Sequence, residues 1–275
     1  MSQKGITYVL LGSQRPDVGD VVRPMSRLTK MDEGEIRVLL TSHGPRLFQA
    51  YQRRSDAQGL ANQLRALGLA VAAVGVEEIL EYVFVPAVRI NIGQGGFSAF
   101  GGENEPPVFI PFSDMAAIVQ GEVSEMIGQE RIMGTRPGES KVRNTYNRMV
   151  YVDIHRRSVP VAVRLRKTDF HLNPIVAGEA IDGPTDLTRC VALLREKSPL
   201  ARFDDGFGRS GHAVAGSLQL LDAGEGAAIA PRSIEDEIPH SPPPLPPGET
   251  NPAELLELPA FDLYSTLWRY QAISD

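Results

Sequence analysis

Along residues 5–76 the apolar positions change period several times, and the changes predict a βααβαβ order. Ile6-Thr7-Tyr8-Val9-Leu10-Leu11 is a short apolar run with β-branched and aromatic residues, the signature of a strand. From Asp17 to Thr29, Val18, Val21, Val22, Met25 and Leu28 recur at helical spacing, and Pro24 is expected to kink that helix or move its start. Asp32 reads as an N-cap for a second helix, Glu33 to Leu40, with Ile36, Leu39 and Leu40 inward. Arg46 to Tyr51 alternates as a strand does. Ser55 with Gln58 three residues on forms a capping-box pattern. The helix behind it buries Ala57, Leu60, Ala61, Leu64 and Leu67 and ends at Gly68, and Leu69 to Val74 returns as a strand.

From residue 81 the period shortens and strands dominate. Tyr82 to Ile92 and Val108 to Phe112 read as strands, Ser113 to Met115 as a turn, and Ala117 to Val123 as a strand. Residues 128–147, rich in Gly, Arg, Glu, Thr and Asn, read as a mobile loop. Met149 to His155 and Pro160 to Lys167 alternate around Arg156-Arg157-Ser158-Val159, a hairpin. Val150, Val152 and Ile154 share one face, as do Val161, Val163 and Leu165 on the partner strand. A hairpin turning near Ser158 sets Asp153 opposite about Ala162. Asp186 to Lys197 is a helix with Leu187, Val191 and Leu194 inward, and Cys190 and Leu193 beside them.

The last quarter differs in composition. Residues 204–232 are rich in Gly, Ala and Asp, and eight of the 21 prolines fall in 239–259, including Pro242-Pro243-Pro244-Leu245-Pro246-Pro247. Proline fixes φ and removes backbone donors, so an extended spacer is expected. Beyond it, Asn251, Pro252 and Glu254 suit the first turn of a short helix through Leu255 and Leu256, ended by Pro259. Phe261, Leu263, Tyr264, Leu267, Trp268 and Tyr270 then crowd into ten residues. Phe261, Tyr264 and Trp268 sit at i, i+3 and i+7, which fits a helix laid in a groove. Each large side chain gains roughly 1.5–3 kcal/mol by leaving water, so this segment should dock, on another protein, on a sister subunit or on its own domains.

The net charge of −6 over 275 residues conceals an asymmetry. Residues 1–80 and 81–202 are close to neutral, and residues 203–275 carry 12 Asp/Glu against 3 Lys/Arg. The body lacks the basic stripe that phosphate binding needs, so nucleic acid is not expected as the main ligand. No apolar run approaches the roughly 18 residues of a membrane span, and only a short apolar stretch follows Met1 to Gly5. Neither a signal peptide nor a membrane span is expected, and cytoplasmic residence is the default. The single cysteine, Cys190, excludes an internal disulfide and reads as a buried structural thiol.

The order of elements in the first 80 residues, with Thr29 before the second helix, Ser55 opening the third and a closing Leu-Arg-Ala-Leu-Gly-Leu-Ala-Val segment, resembles the C-terminal domain of the bacterial ribosomal stalk protein. The Clp-protease adaptor has a related shape. The likeness implies a small α+β fold whose first two helices bind translation factors through basic and apolar residues. Val22, Arg23 and Arg37 fall on matching positions, while Val18, Gly19 and Ser26 depart from the family's lysine, valine and arginine. The alternative for these three residues is a core valine and two solvated arginines. Several antiparallel strands closed by one helix, with Ile110-Pro111-Phe112-Ser113-Asp114-Met115-Ala116-Ala117-Ile118-Val119, are similar to a pleckstrin-homology-like barrel, a binding scaffold.

No stretch of the sequence supplies a complete catalytic set. Asp153-Ile154-His155 and Asp169-Phe170-His171 each place Asp and His on one strand face, a spacing that suits a divalent ion. The hairpin sets the two units roughly 23 Å apart, too far for a joint site. Ile92-Gly93-Gln94-Gly95-Gly96 lacks the third glycine and following helix of a dinucleotide loop and reads as a turn. Gly208-Arg209-Ser210-Gly211-His212 is not a nucleophile elbow, since the second glycine comes one place early. Arg156, Arg157, Arg164, Arg166 and Lys167 make a basic hairpin that could meet an anionic partner, solvent, or the acidic tail of the same chain.

These patterns predict an α+β protein. It comprises a βααβαβ domain (1–80), an antiparallel barrel-like β domain with a C-terminal helix (81–202), a proline-rich linker (203–248) and an acidic-aromatic docking peptide (249–275). The expected function is that of a non-enzymatic cytoplasmic adaptor without cofactor or metal. It binds protein partners through Phe261, Leu263, Tyr264, Leu267, Trp268 and Tyr270, through Arg23 and Arg37, and through the hairpin arginines Arg156, Arg157 and Arg164. A homo-oligomer formed by tail exchange is one form of this. The alternatives are a metal-dependent hydrolase using Asp153 and His155, and a translation-associated factor acting through the N-terminal domain.

Overall fold

A computed structural model describes residues 5–13, 19–41, 44–102, 105–133, 140–167, 171–172, 187–209, 217 and 258–274. The proline-rich spacer, Asn251 to Leu256, Val18, Asp169 and Ser210 to His212 lie outside the described residues. The chain is α+β, and its elements follow the predicted order closely through residue 80.

Strand β1 (Thr7–Leu11) lies centrally in a three-stranded antiparallel sheet, between β2 (Arg46–Tyr51) and β3 (Val71–Gly75). Helices α1 (Gly19–Thr29), α2 (Glu33–Thr41) and α3 (Arg54–Ala66) cover one face of it. Helix α1 runs through Pro24 with Val22 and Met25 buried on either side. Asp32 caps α2 as predicted: its carboxylate accepts the Gly34 N–H at 2.7 Å, and Glu35 reaches back to the Asp32 N–H at 3.1 Å. Gly68 closes α3 in the left-handed conformation, φ +84°, which disfavours any Cβ. Ser55 is not the cap. The helix opens earlier, Arg53 holds the N-cap position without a side-chain bond, and the Ser55 hydroxyl turns to Asp56. A short helix α4 (Val76–Leu80) leads out of this unit.

The β-rich region departs from the expected barrel. Among the described residues its strands form two open sheets, not one closed barrel. One sheet has five strands in the order β12-β8-β9-β10-β4 and the other four, β11-β5-β6-β7. The five-stranded sheet takes β4 (Val83–Ala87), β8 (Met115–Met133), β9 (Ser140–Arg156), β10 (Val161–Arg166) and β12 (Arg202–Asp204). The other takes β5 (Arg89–Ile92), β6 (Gly96–Phe100), β7 (Val108–Pro111) and β11 (His171–Leu172). The run Tyr82 to Ile92 is therefore two strands, broken at Val88 and sent to different sheets. Pro86 fits because β4 is an edge strand. The facing surfaces share one core, in which Ile90, Ile92, Phe97 and Ile110 meet Ile118, Val152, Ile154, Val163 and Leu165, and α5 (Leu187–Lys197) adds Leu187, Cys190, Val191 and Leu194.

Residues 128–147 are a second departure. Much of that expected loop is strand: β8 and β9 stay paired from Met115↔Arg156 out to Met133↔Ser140. Their polar composition misled because a ribbon outside the core needs no apolar face. The expected linker also starts later than residue 203. Phe203 and Asp204 belong to β12, and Phe207, in a 3-10 turn, is fully buried.

The last helix, α6 (Leu258–Ser274), fills the space between the two units. One side, Leu263, Leu267 and Tyr270, packs on the free face of the three-stranded sheet against Tyr8, Leu10, Leu47 and Val74. The other side, Phe261, Tyr264, Trp268 and Ala272, packs on the second face of the five-stranded sheet against Val119, Val123, Met149, Tyr151 and Phe207. A helix buried all round, including Ser265, Thr266, Arg269 and Gln271, is a core helix. Pro259 does not end a helix here. It sits in the first turn of α6, where no intrahelical N–H is required.

Candidate functional site

Strand β9 is covered on both faces. Val152 and Ile154 face the inter-sheet core, so Met149, Tyr151, Asp153 and His155 face α6. Asp153 and His155 are therefore polar groups at a helix-sheet interface, each fully buried. Burial without partners would cost several kcal/mol, so the surrounding groups decide what they do.

Tyr82, His155, Ser265, Asp153 and Arg164 are bonded to one another in series. The Tyr82 hydroxyl lies 2.7 Å from His155 Nδ1, and His155 Nε2 lies 2.8 Å from Ser265 Oγ of α6. Ser265 donates its proton to Asp153 Oδ2 at 2.6 Å. A carboxylate can only accept, so Ser265 Oγ must receive the Nε2–H of His155, and Nδ1 accepts from Tyr82. Arg164 of β10 grips Asp153 with two bonds of 2.7 Å and reaches Asp262 of α6 at 2.6 Å. The Arg164 guanidinium lies 4.0 Å from the Phe84 ring centre. The interface is thus a polar line running from α4's exit through β9 and β10 into α6, closed at both ends.

The electrostatics follow from this burial. Desolvation, with Arg269 and Arg164 nearby, pulls the His155 imidazole down to about 3, so it is neutral. Burial pushes the Asp153 carboxyl up, opposed by the Arg164 fork and the Ser265 hydroxyl. Burial, with Asp153 next to it, also pushes the Tyr82 phenol up, against the pull of Arg269.

As bonded here, this line is not arranged as a nucleophile and its base. In a hydrolase serine, the imidazole takes the hydroxyl proton. Here the imidazole donates to the serine, whose proton goes to the carboxylate, and Ser265 itself is fully buried. Both nitrogens of His155 and both oxygens of Asp153 are occupied by protein groups. The expected register is also corrected: Asp153 pairs with Arg164, and His155 with Ala162. The turn itself lies at Ser158–Val159 as expected, and Asp114 holds it, accepting from the Ser158 N–H at 2.9 Å and from Arg156 at 2.7 Å. Although partial burial pushes up the Asp114 carboxyl, these donors hold it below its ordinary value. The second Asp-x-His unit is separated from the first, since His171 lies on β11 beside Arg89 in the other sheet.

The basic hairpin is occupied by its own chain. Arg156 pairs with Asp114, and Arg157 reaches the carbonyls of Met115 and Leu200. Arg164 has Asp153 and Asp262. Of the readings open for these residues, contact with the acidic tail of the same chain is the one Arg164 makes. Arg269 of α6 returns the contact by donating to the Arg156 and Arg157 carbonyls.

The aromatic tail residues are likewise interior. Phe261, Leu263, Tyr264, Leu267, Trp268 and Tyr270 are all buried. Tyr264 donates to Asp204 at 2.6 Å and Tyr270 to the Glu78 carbonyl at 2.8 Å. Of the docking sites expected for this segment, the chain's own domains are the one it takes, and it becomes shared core because it meets two sheet faces that would otherwise be bare.

On the outer layer, Val22 is fully buried and Arg23 and Arg37 are exposed. Arg23 lies 3.5 Å from Glu33. Leu28 and Val38, on the same two helices, stay 41% and 43% exposed. Leu28 belongs to the expected apolar spacing of α1 and proves part-exposed, whereas Val38 falls outside the expected inward set Ile36, Leu39 and Leu40 and so escapes sequence reasoning. Sequence reasoning also missed Ser265 and Tyr82, which carry no motif. Cys190 is a buried thiol pushed up to about 12 by desolvation. No described helix is long and apolar enough to cross a membrane. In comparisons with known proteins, no family model, no curated protein and no solved structure matches this chain.

Proposed function

We propose that this chain is a non-catalytic cytoplasmic scaffold that binds another protein through the outer face of α1 and α2. In this reading α6 is the internal clamp that holds the two folded units in one arrangement. The supporting observation is what these two helices leave exposed: Leu28, Arg23 and Arg27 on α1, and Val38 and Arg37 on α2. Exposed aliphatic side chains together with exposed arginines suit a partner segment that is acidic with apolar anchors of its own. Full burial of Val22 leaves Arg23 and Arg37 as the matches to the stalk-like pattern, so translation factors are one class of partner and not the required one. The hydrolase alternative would need Asp153 and His155 open to substrate, and the bonds they make argue against it.

The test compares wild type with the triple variant Arg23→Glu, Arg37→Glu, Val38→Ser, each as the full chain on a resin in lysate from its own cells. All three positions are exposed and the Arg23–Glu33 pair lies at the surface, so circular dichroism should not change and melting should shift only slightly. The reading requires a protein held by wild type and released by the variant, with the direct interaction then reproduced from purified components. Equal retention by both proteins would refute it.

A further inference from the structure

We propose that the β8–β9 ribbon is a self-association element, on which a second copy of this chain lays its own ribbon so that β8 of each meets β9 of the other. The backbone geometry motivates this. Strand β12 accompanies β8 only along Ala117–Val119, and β10 accompanies β9 only along Tyr151–His155. Val123 and Met149 are the last paired residues in the core. Beyond them β8 and β9 continue, paired with each other and with no third strand among the described residues, to Met133 and Ser140. At about 3.4 Å per residue that projection is about 30 Å long. A two-stranded ribbon alone is marginally stable in water, and a second layer packed on one of its faces would shelter it.

The charges of the two strands name the occupant. From Glu122 to Met133, β8 carries Glu122, Glu125 and Glu130 against the single cation Arg131. From Ser140 to Val150, β9 carries Lys141, Arg143 and Arg148 and no carboxylate. An acidic strand beside a basic one is complementary to a second copy of itself turned by a two-fold rotation, which gives a closed, isologous contact. At the base of the ribbon, Glu122 and Arg148 already pair across the strands at 3.6 Å. A ribbon face about 30 Å by 10 Å buries roughly 600 Å² over two copies, below a standard stable interface. The dimer is therefore weak, concentration-dependent and weakened by salt.

Sedimentation velocity of the full chain over a micromolar series, at low and high salt, reads the association. Two variants carry the test, one with Glu125→Lys and Glu130→Lys, the other with Lys141→Glu and Arg143→Glu. Each alone should associate at least about tenfold more weakly, since like charges then face each other. Their equimolar mixture should regain wild-type association, because each reversed strand meets its complement. A third variant joins Ser124 to Arg148 by an Asn-Gly turn in place of 125–147, and should be monomeric with unchanged Trp268 emission. Monomeric wild type at every concentration, a dimer that survives ribbon removal, or a mixture that fails to recover would each overturn the proposal. So would retention of the monomeric ribbon on duplex DNA or on a different protein.

Discussion

Replacing His155 by Gln should remove a defined part of the protein's acid sensitivity. The imidazole is fully buried between Tyr82, Phe84, Arg164, Arg269, Asp153 and Ser265, and desolvation holds it at about 3 against 6.5 in the unfolded chain. Between those two values the unfolded chain binds the proton and the native protein does not. Native stability therefore falls as pH falls through 6.5 and goes on falling to about 3. Integrating this single site, wild type loses about 2 kcal/mol between pH 7 and pH 5, and about 4–5 kcal/mol by pH 3. Glutamine does not titrate. The variant is less stable at pH 7, since it cannot reproduce both bonds, but its stability should change less with pH by that same amount. Urea unfolding followed by Trp268 fluorescence at pH 7, 6 and 5 measures the difference in slope. The other histidines are common to both proteins and cancel. Parallel pH profiles would refute the reasoning, as would a His155 ring resonance titrating near 6.5 in the native protein.

Ser265→Ala should cost about 1–3 kcal/mol, because it strands the buried Nε2–H of His155 and removes a donor from Asp153; chemical denaturation checks it. Gly121→Ala should destabilise by about 1–3 kcal/mol, since a Cβ there would stand 2.5 Å from the Phe261 ring and 3.0 Å from Phe207, and the β8–α6 contact would open. Its melting temperature should fall, whereas a Gly59→Ala control, where a Cβ meets open space, should not be lowered. The Cys190 thiol should resist a thiol reagent at pH 8 in the native state and react fully in denaturant, because burial holds it protonated near 12.

The N-terminal unit was legible because its information is local. Asp32 with Glu35, Gly68 after α3, and the changes of period between helix and strand each act within a few residues. Ser55 failed as a cap because Ser and Arg starts differ by small energies that tertiary context overrides. In the β region, composition alone could not tell a polar ribbon from a loop, and it could not see the break at Val88 that sends β4 and β5 to different sheets.

The Asp-x-His alternation on β9 was visible in the sequence, and with it the shared face of Asp153 and His155. What that face meets was not, because it depends on a helix more than a hundred residues away. The sequence by itself determined the elements of the N-terminal unit, the acidic asymmetry, the buried Cys190 and the need of Phe261, Tyr264 and Trp268 for shelter, since apolar area and period are properties of short segments. Only the tertiary structure decided that this shelter is the gap between two of the chain's own sheets. It also decided that Ser265 and Asp262 would meet His155, Asp153 and Arg164. Long-range pairing rests on shape and on the matching of buried donors with acceptors, and neither is written at any one position.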